Sequence, residues 1–327
     1  MKKFSSVTLG LLAATALAST AQAEIIKIDG SSTVFPVTEA VAEEFQIATK
    51  ERVTVGVSGT GGGFKKFCRG ETDISNASRP ILKAEMDICA KSGVKYFELP
   101  VAFDALTVVV NKNNNFVKPL TVAHLKTAWA PESQGKVKSW NQLSSSFPNA
   151  PLKLYGPGAD SGTFDYFTEA VVGKAKSSRG DYTASEDDHV IVQGLSRDKN
   201  GLGYLGYAYY IENKNKLEAV PIVNKQGKIV APSEANVLNG SYNPLSRPIF
   251  IYVNQASLKK PEVQKFVDFY MKKSAPLIKE VKYVPLPAKA YTHNLDVIKK
   301  GKLGTVFGGE AQVGLTIEEL MKREAKL

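Results

Sequence analysis

Leu152-Lys153-Leu154-Tyr155-Gly156-Pro157-Gly158-Ala159-Asp160-Ser161-Gly162-Thr163 passes from a strand pattern (Leu152–Tyr155) into a Gly/Ser/Thr loop, after which Phe164, Phe167 and Val171 recur at helical spacing. The same order occurs twice earlier. Ile25–Ile28 leads into Asp29-Gly30-Ser31-Ser32-Thr33 and then Val37, Val41 and Phe45. Val53–Val57 leads into Ser58-Gly59-Thr60-Gly61-Gly62-Gly63 and then Phe64, Phe67 and Cys68. A helix N-terminus leaves backbone N–H groups without partners and carries a partial positive charge, so anions settle there. Glycines let the backbone approach closely, and hydroxyls add neutral donors. A single loop of this kind is most often a turn. Three of them point to an oxyanion enclosed by converging dipoles.

Strand and helix patterns alternate along the chain, which argues for α/β layers with largely parallel strands. Val101–Asn111 is a long apolar strand interrupted by Asp104, and Pro248–Asn254 repeats its character late in the chain. Both are read as strands crossing between two α/β domains. Residues 24–105 then join 247–327 in a discontinuous first lobe, and residues 106–246 form the second. Two crossovers make a hinge, and ligands of open α/β sheets bind outside the carboxyl ends of strands, where the Gly loops lie.

Met1–Ala23 reads as an export signal: Lys2 and Lys3, a short apolar core from Val7 to Ala18, and Ala21-Gln22-Ala23 as the cleavage site. That core is too short to span a bilayer, which needs about 20 apolar residues. Of 327 residues, 304 follow Ala23, enough for two domains, and loss of Lys2 and Lys3 lowers the formal net charge from +10 to +8. The positive balance suits an anionic ligand. Lys65-Lys66, Lys214, Lys216 and Lys299-Lys300 are short and dispersed, so no nucleic-acid stripe forms. Cys68 and Cys89 are the only cysteines. In an exported chain they most simply pair, closing a loop worth roughly 3 kcal/mol in the chain-entropy model; two buried free thiols are the competing reading.

Gly201-Leu202-Gly203-Tyr204-Leu205-Gly206 matches a dinucleotide fingerprint but follows a polar stretch and leads into Tyr207-Ala208-Tyr209-Tyr210, so it reads as a tight turn into a packed segment. Gly158-Ala159-Asp160-Ser161-Gly162 lacks the spacing of a nucleophile elbow. His124, His189 and His293 stand apart with no cysteine or second histidine at ligand spacing, so no metal and no cofactor is expected, and each reads as a surface residue. Ser78-Arg79-Pro80 ends the strand pattern Asp73–Ala77, which would set Arg79 beside the loops as a bidentate fork for an oxyanion. Asp104, a carboxylate in an apolar strand, either pairs with an arginine or serves the ligand.

Together, Asp29-Gly30-Ser31-Ser32-Thr33-Val34-Phe35-Pro36, Ser58-Gly59-Thr60-Gly61-Gly62-Gly63, Ala77-Ser78-Arg79-Pro80 and Asp160-Ser161-Gly162-Thr163 resemble the phosphate-binding protein of the phosphate ABC transporter. The likeness runs in order over the chain beyond residue 23 and includes the segment from Gly203-Tyr204 to Tyr209. It implies a two-lobed periplasmic-binding-protein fold of the type II class, non-catalytic, monomeric and periplasmic, which captures inorganic phosphate and hands it to a membrane permease. By position it implies phosphate contacts from Ser32, Thr33 and the Val34 backbone, from Thr60 with Ser58 as a fallback, from Ser78, and from Ser161, Gly162 and Thr163.

Two departures matter. Many members place an arginine shortly before Ser-Gly-Thr, where this chain has Pro157 and Gly158, and an aspartate after the serine matched by Ser78, where it has Arg79. Arg79 is the natural replacement for the positive charge, since no other arginine is expected beside an anion loop. Asp104, with Asp160 as runner-up, replaces the acceptor. An acceptor matters because phosphate near neutral pH carries a proton and sulfate carries none, so a buried carboxylate bonds one and repels the other. A binder of sulfate, molybdate or a related oxyanion, and a secreted phosphatase, are the alternative readings.

Overall fold

A computed structural model describes residues 24–310 and 312–326; the expected export signal, Met1–Ala23, lies outside them. Strands β1 (Ile26–Gly30), β2 (Val53–Val57) and β3 (Ile74–Ala77) precede β4 (Tyr96–Asn111), a buried strand of 16 residues. Then come β5 (Leu120–Thr121), β6 (Lys153–Pro157), β7 (Thr183–Ser185), β8 (Gly201–Gly206), β9 (Leu217–Ala219), β10 (Ile222–Val223) and β11 (Ile229–Val230). Strands β12 (Ser246–Asn254) and β13 (Val284–Pro285) complete the set. The main sheet runs β2-β1-β3-β12-β4-β8-β6-β7, with β9 and β13 also on β4, and β11-β10-β5 form a small second sheet.

β4 holds the sheet together because its partner changes partway along. Residues 96–105 pair antiparallel with β12, and Leu106–Val110 pair antiparallel with β8. A second passage occurs at the start of β12, where the Leu245 carbonyl accepts the Leu106 N–H at 2.7 Å. β4 and β12 are buried along their whole length, as their near-continuous apolar runs require of strands covered on both faces. β1 pairs in parallel with β2 and β3 on one side, and β6 in parallel with β7 and β8 on the other.

Helices α1 (Phe35–Thr49), α2 (Gly59–Phe67) and α3 (Lys83–Lys91) belong to the first half; α4 (Val122–Trp129), α5 (Gly162–Val172), α6 (Asp188–Arg197) and α7 (Tyr207–Glu212) belong to the second. The expected stripe Val37, Val41 and Phe45 is the buried face of α1, and Phe45 meets Phe266 and Phe269 edge-on. Cys68, at the end of α2, is disulfide-bonded to Cys89 in α3. Two local readings change. The glycine run of the second loop is already helix from Gly59, and a Cβ on Gly63 would lie 2.5 Å from the Gly30 Cα, so glycine lets α2 rest directly on β1. The fingerprint Gly201–Gly206 is the buried strand β8 and no turn; β4 and β6 flank it, and Tyr204 stacks on Phe167 at 3.7 Å.

Among the described residues no helix is long and apolar enough to cross a membrane, and no group of three or more His, Cys, Asp or Glu is placed to hold a metal ion. His189 is exposed, while His124 and His293 are half-buried.

The C-terminal helix Ile317–Glu324 ends on a buried carboxylate. Neither Glu324 oxygen has a hydrogen-bond partner among the described residues, and burial, then the nearby Glu98, push its carboxyl up to about 9. A folded-state pKa above the unfolded 4.5 means the contribution to stability is whole below pH 4.5 and is lost as pH rises towards 9. Glu324→Gln, which copies the protonated form, should therefore flatten the fall of Tm between pH 5 and pH 9. Thermal melts across that range check this, and parallel curves for the two proteins would contradict it.

Candidate functional site

The three loops meet between the two halves of the sheet. From the β1–α1 turn, Thr33 is buried and its hydroxyl shares a hydrogen bond with the Thr163 hydroxyl at 2.8 Å, 130 residues away. Thr60, in the first turn of α2, shares a hydrogen bond with the Ser78 hydroxyl at 3.1 Å and accepts the Ser78 N–H at 3.2 Å. Gly162, the first residue of α5, presses against this pair: a Cβ there would lie 2.3 Å from both hydroxyl oxygens. Ser161 caps α5, its hydroxyl accepting the Thr163 N–H at 3.1 Å. Four hydroxyl-bearing segments thus share one buried cluster above the carboxyl ends of β1, β3 and β6.

The remaining positions from the first two loops sit differently. The Ser32 carbonyl accepts the Tyr209 hydroxyl at 3.3 Å, and the Val34 N–H is engaged by the Ser31 carbonyl at 3.2 Å. Ser58 is only half-buried and its hydroxyl bonds the Asp29 carboxylate, which in turn pairs with Lys66. Ser58 therefore faces away from the cluster, and Thr60 is the second loop's hydroxyl at the junction.

The charge at the junction belongs to Arg247, which the sequence reading passed over. Arg247 lies near the start of β12, fully buried. Its Nη2 donates to the Thr163 hydroxyl at 2.7 Å, the Thr33 hydroxyl at 3.3 Å and Asp104 Oδ2 at 3.1 Å; its Nη1 donates to the Gly162 carbonyl at 2.8 Å. The Tyr166 ring backs it at 5.4 Å, within cation–π range. Asp104 answers Arg247 with Oδ2, and its Oδ1 makes no side-chain hydrogen bond. Burial pushes the Asp104 carboxyl up and Arg247 opposes that, so the odd carboxylate of the apolar strand is primarily an arginine's partner.

Arg79 requires a correction. It stands at the end of β3 as expected, but its Nε donates to Asp165 at 2.8 Å, its Nη2 to Glu85 at 2.8 Å, and its Nη1 to Glu85 at 2.9 Å and the Pro80 carbonyl at 3.1 Å. Four of the five guanidinium N–H groups are engaged, three of them by the Glu85 and Asp165 carboxylates, so two anionic side chains already occupy the fork. Burial works against its charge, and Glu85 and Asp165 outweigh it, holding the guanidinium protonated. Because Glu85 lies in α3 and Asp165 in α5, Arg79 ties the two sides of the junction together from behind. Asp160 is half-exposed and pairs with Lys65 at 3.4 Å.

One feature of the sequence marks Arg247. Ser246-Arg247-Pro248-Ile249 repeats Ser78-Arg79-Pro80-Ile81, and the repeated tetrapeptides stand at the sheet's junction on β12 and just after β3. A second missed residue is Asp188 at the start of α6. It is buried against the Ser32 hydroxyl, and burial followed by the charge of Asp104 pushes its carboxyl up to about 7.

Comparison with known proteins agrees with this architecture. A model of the PBP superfamily domain matches residues 15–274. Protein SphX of Synechococcus elongatus is 56% identical over 94% of this chain and 90% of its own length. The phosphate-binding protein PstS of Staphylococcus saprophyticus is 39% identical over 88% of this chain and 86% of its own. Among solved structures, one from Clostridium perfringens assigned to a phosphate ABC transporter and holding bound phosphate is 26% identical, with a TM-score of 0.68 over 81% of this chain and all of that one.

Proposed function

The chain belongs to the PBP superfamily and, within it, to the family of the phosphate-binding protein of the phosphate ABC transporter, and on that footing we propose that it captures inorganic phosphate between two lobes for delivery to a transporter. The observation that carries this reading is the buried meeting of the Thr33, Thr60, Ser78 and Thr163 hydroxyls with Arg247. Hydroxyls and helix N-termini supply neutral donors for an anion stripped of water, and one guanidinium supplies the charge. Ser161 and Gly162 complete the cradle at the N-terminus of α5, where Ser161 caps the helix.

In this account residues 24–105 and 247–326 form one lobe, residues 106–246 the other, and β4 is one arm of the hinge. The exchange of β4 partners between Ala105 and Leu106 supports that division. The protein acts as a monomer in the periplasm, binds reversibly without chemistry, and docks on a membrane permease.

Isothermal titration with phosphate, sulfate and molybdate tests the reading, alongside turnover of an aryl phosphate. Phosphate should bind tightly and no ester should be cleaved. Sulfate binding with no phosphate heat, or turnover, would overturn it. Thr60→Ala and Thr163→Ala each remove a donor to a charged group, worth roughly 1.5–3 kcal/mol, so phosphate affinity should fall about ten- to a hundredfold with the fold intact.

A further inference from the structure

We propose that Tyr166 is a positioning residue for the anion site: its hydroxyl holds the start of β12 and its ring backs the guanidinium, so that Arg247 is aimed at the junction before an anion arrives. This rests on the reading of Arg247 as the charge that phosphate meets. β4 pairs with β12 from Ser246 onward, whereas β3 pairs with it only from Phe250 to Val253. Among the described residues the start of β12 therefore has a strand on one side only. The Leu245 carbonyl accepts the Leu106 N–H from β4. The carbonyls on either side of it, those of the buried Pro244 and Ser246, face the open side, and a buried carbonyl left without a partner is costly.

Tyr166 takes the place of the missing strand. It is buried in α5, and its hydroxyl donates to the Pro244 carbonyl at 2.8 Å and the Ser246 carbonyl at 2.7 Å, one proton shared between two acceptors. The same oxygen accepts the Gly314 N–H at 2.9 Å, from the segment before the C-terminal helix, so it is engaged as donor and as acceptor. The Ser246 carbonyl belongs to the planar peptide group that leads into Arg247, so holding it fixes the backbone from which that side chain departs.

The guanidinium then returns to the same helix. Its Nη1 donates to the Gly162 carbonyl, its Nη2 to the Thr163 hydroxyl, and its carbon lies 5.4 Å from the centre of the Tyr166 ring. Tyr166 follows Gly162 by four residues and Thr163 by three, which puts all three on one face of α5. The helix that offers Thr163 to the anion thereby also orients the arginine. Arg79, in the matching tetrapeptide, is backed at 5.8 Å by Phe64, whose ring carries no hydroxyl, and the Glu85 and Asp165 carboxylates orient it instead.

The test is a double-mutant cycle on phosphate affinity in the full chain, with Tyr166→Phe, Arg247→Lys and the two combined. Tyr166→Phe keeps the ring and loses the hydroxyl. It should weaken phosphate about tenfold where Arg247 is present. In Arg247→Lys it should weaken phosphate by less than about twofold, because an ammonium on a flexible stem has no plane to orient. Nitrogen-15 NMR of the unmodified chain without phosphate gives a second readout that needs no variant to fold: the two Nη atoms of Arg247 should give separate resonances, as in a guanidinium already fixed. Unchanged affinity in Tyr166→Phe, weakening by the same factor in both backgrounds, as a merely structural role would give, or a single averaged Nη resonance would each overturn the proposal. Phosphate binding undiminished in Arg247→Lys would overturn the reading of Arg247 itself, a result distinct from equal weakening by Tyr166→Phe in the two backgrounds.

Discussion

Arg247→Ala is expected to abolish phosphate binding and to lower Tm together. The guanidinium donates to Asp104, Gly162, Thr33 and Thr163 from one buried position, so its loss removes both the charge meant for the anion and the partner of a buried carboxylate. Breaking a buried pair by deleting one member costs roughly 3–5 kcal/mol, because the remaining charge is left uncompensated. Arg247→Lys keeps the charge but not the planar arrangement that spans four partners, so it should recover stability more than affinity. The double change Arg247→Met with Asp104→Leu removes both charges; it should restore Tm while leaving phosphate unbound. Melting curves and titration on the three variants check this. A phosphate-binding Arg247→Ala would show that the charge comes from elsewhere, with Arg79 first in line.

Gly162→Ala should separate binding from folding in the opposite way. Gly162 adopts ordinary helical backbone as the first residue of α5, so alanine costs that helix nothing. The added methyl carbon, however, would sit 2.3 Å from the Thr60 and Ser78 hydroxyl oxygens on the opposite side of the junction. Overpacking of this kind costs roughly 1–3 kcal/mol, and on the two-lobed reading it falls on the arrangement in which the lobes close over the anion. Phosphate affinity should drop about 5- to 150-fold while Tm without phosphate stays level or rises. Unchanged affinity would mean that Gly162 does not approach Thr60 and Ser78 when the anion is held.

The loops were readable because they follow local rules: a strand, a glycine that permits close approach, a hydroxyl, and a helix whose apolar residues recur at regular spacing. Ser161 as the α5 cap and the buried face of α1 both obey those rules. Asp104 was readable as an anomaly, a carboxylate where an apolar residue belongs, although its partner was not. Arg79 and Arg247 show why. They share the tetrapeptide Ser-Arg-Pro-Ile, and no local property tells which one points into the junction. That is decided by the antiparallel register of β12 against β4, which sets Arg247 opposite Asp104, and by the docking of α3, which brings Glu85 onto Arg79. Asp188 sits in the polar run Glu186-Asp187-Asp188-His189, where nothing in the spelling says which carboxylate turns inward. Packing of α6 on β8 buries Asp188 and leaves Asp187 exposed.

The central claim is that phosphate is held where the three loops meet, and a crystal structure of the protein grown with phosphate at pH 8 tests it most directly. The account predicts one tetrahedral anion between the lobes, with oxygens at hydrogen-bond distance from the Thr33, Thr60, Ser78 and Thr163 hydroxyls and the Arg247 guanidinium. Phosphate bound elsewhere on the molecule, or bound to the Arg79 guanidinium with Glu85 and Asp165 displaced from it, would contradict it.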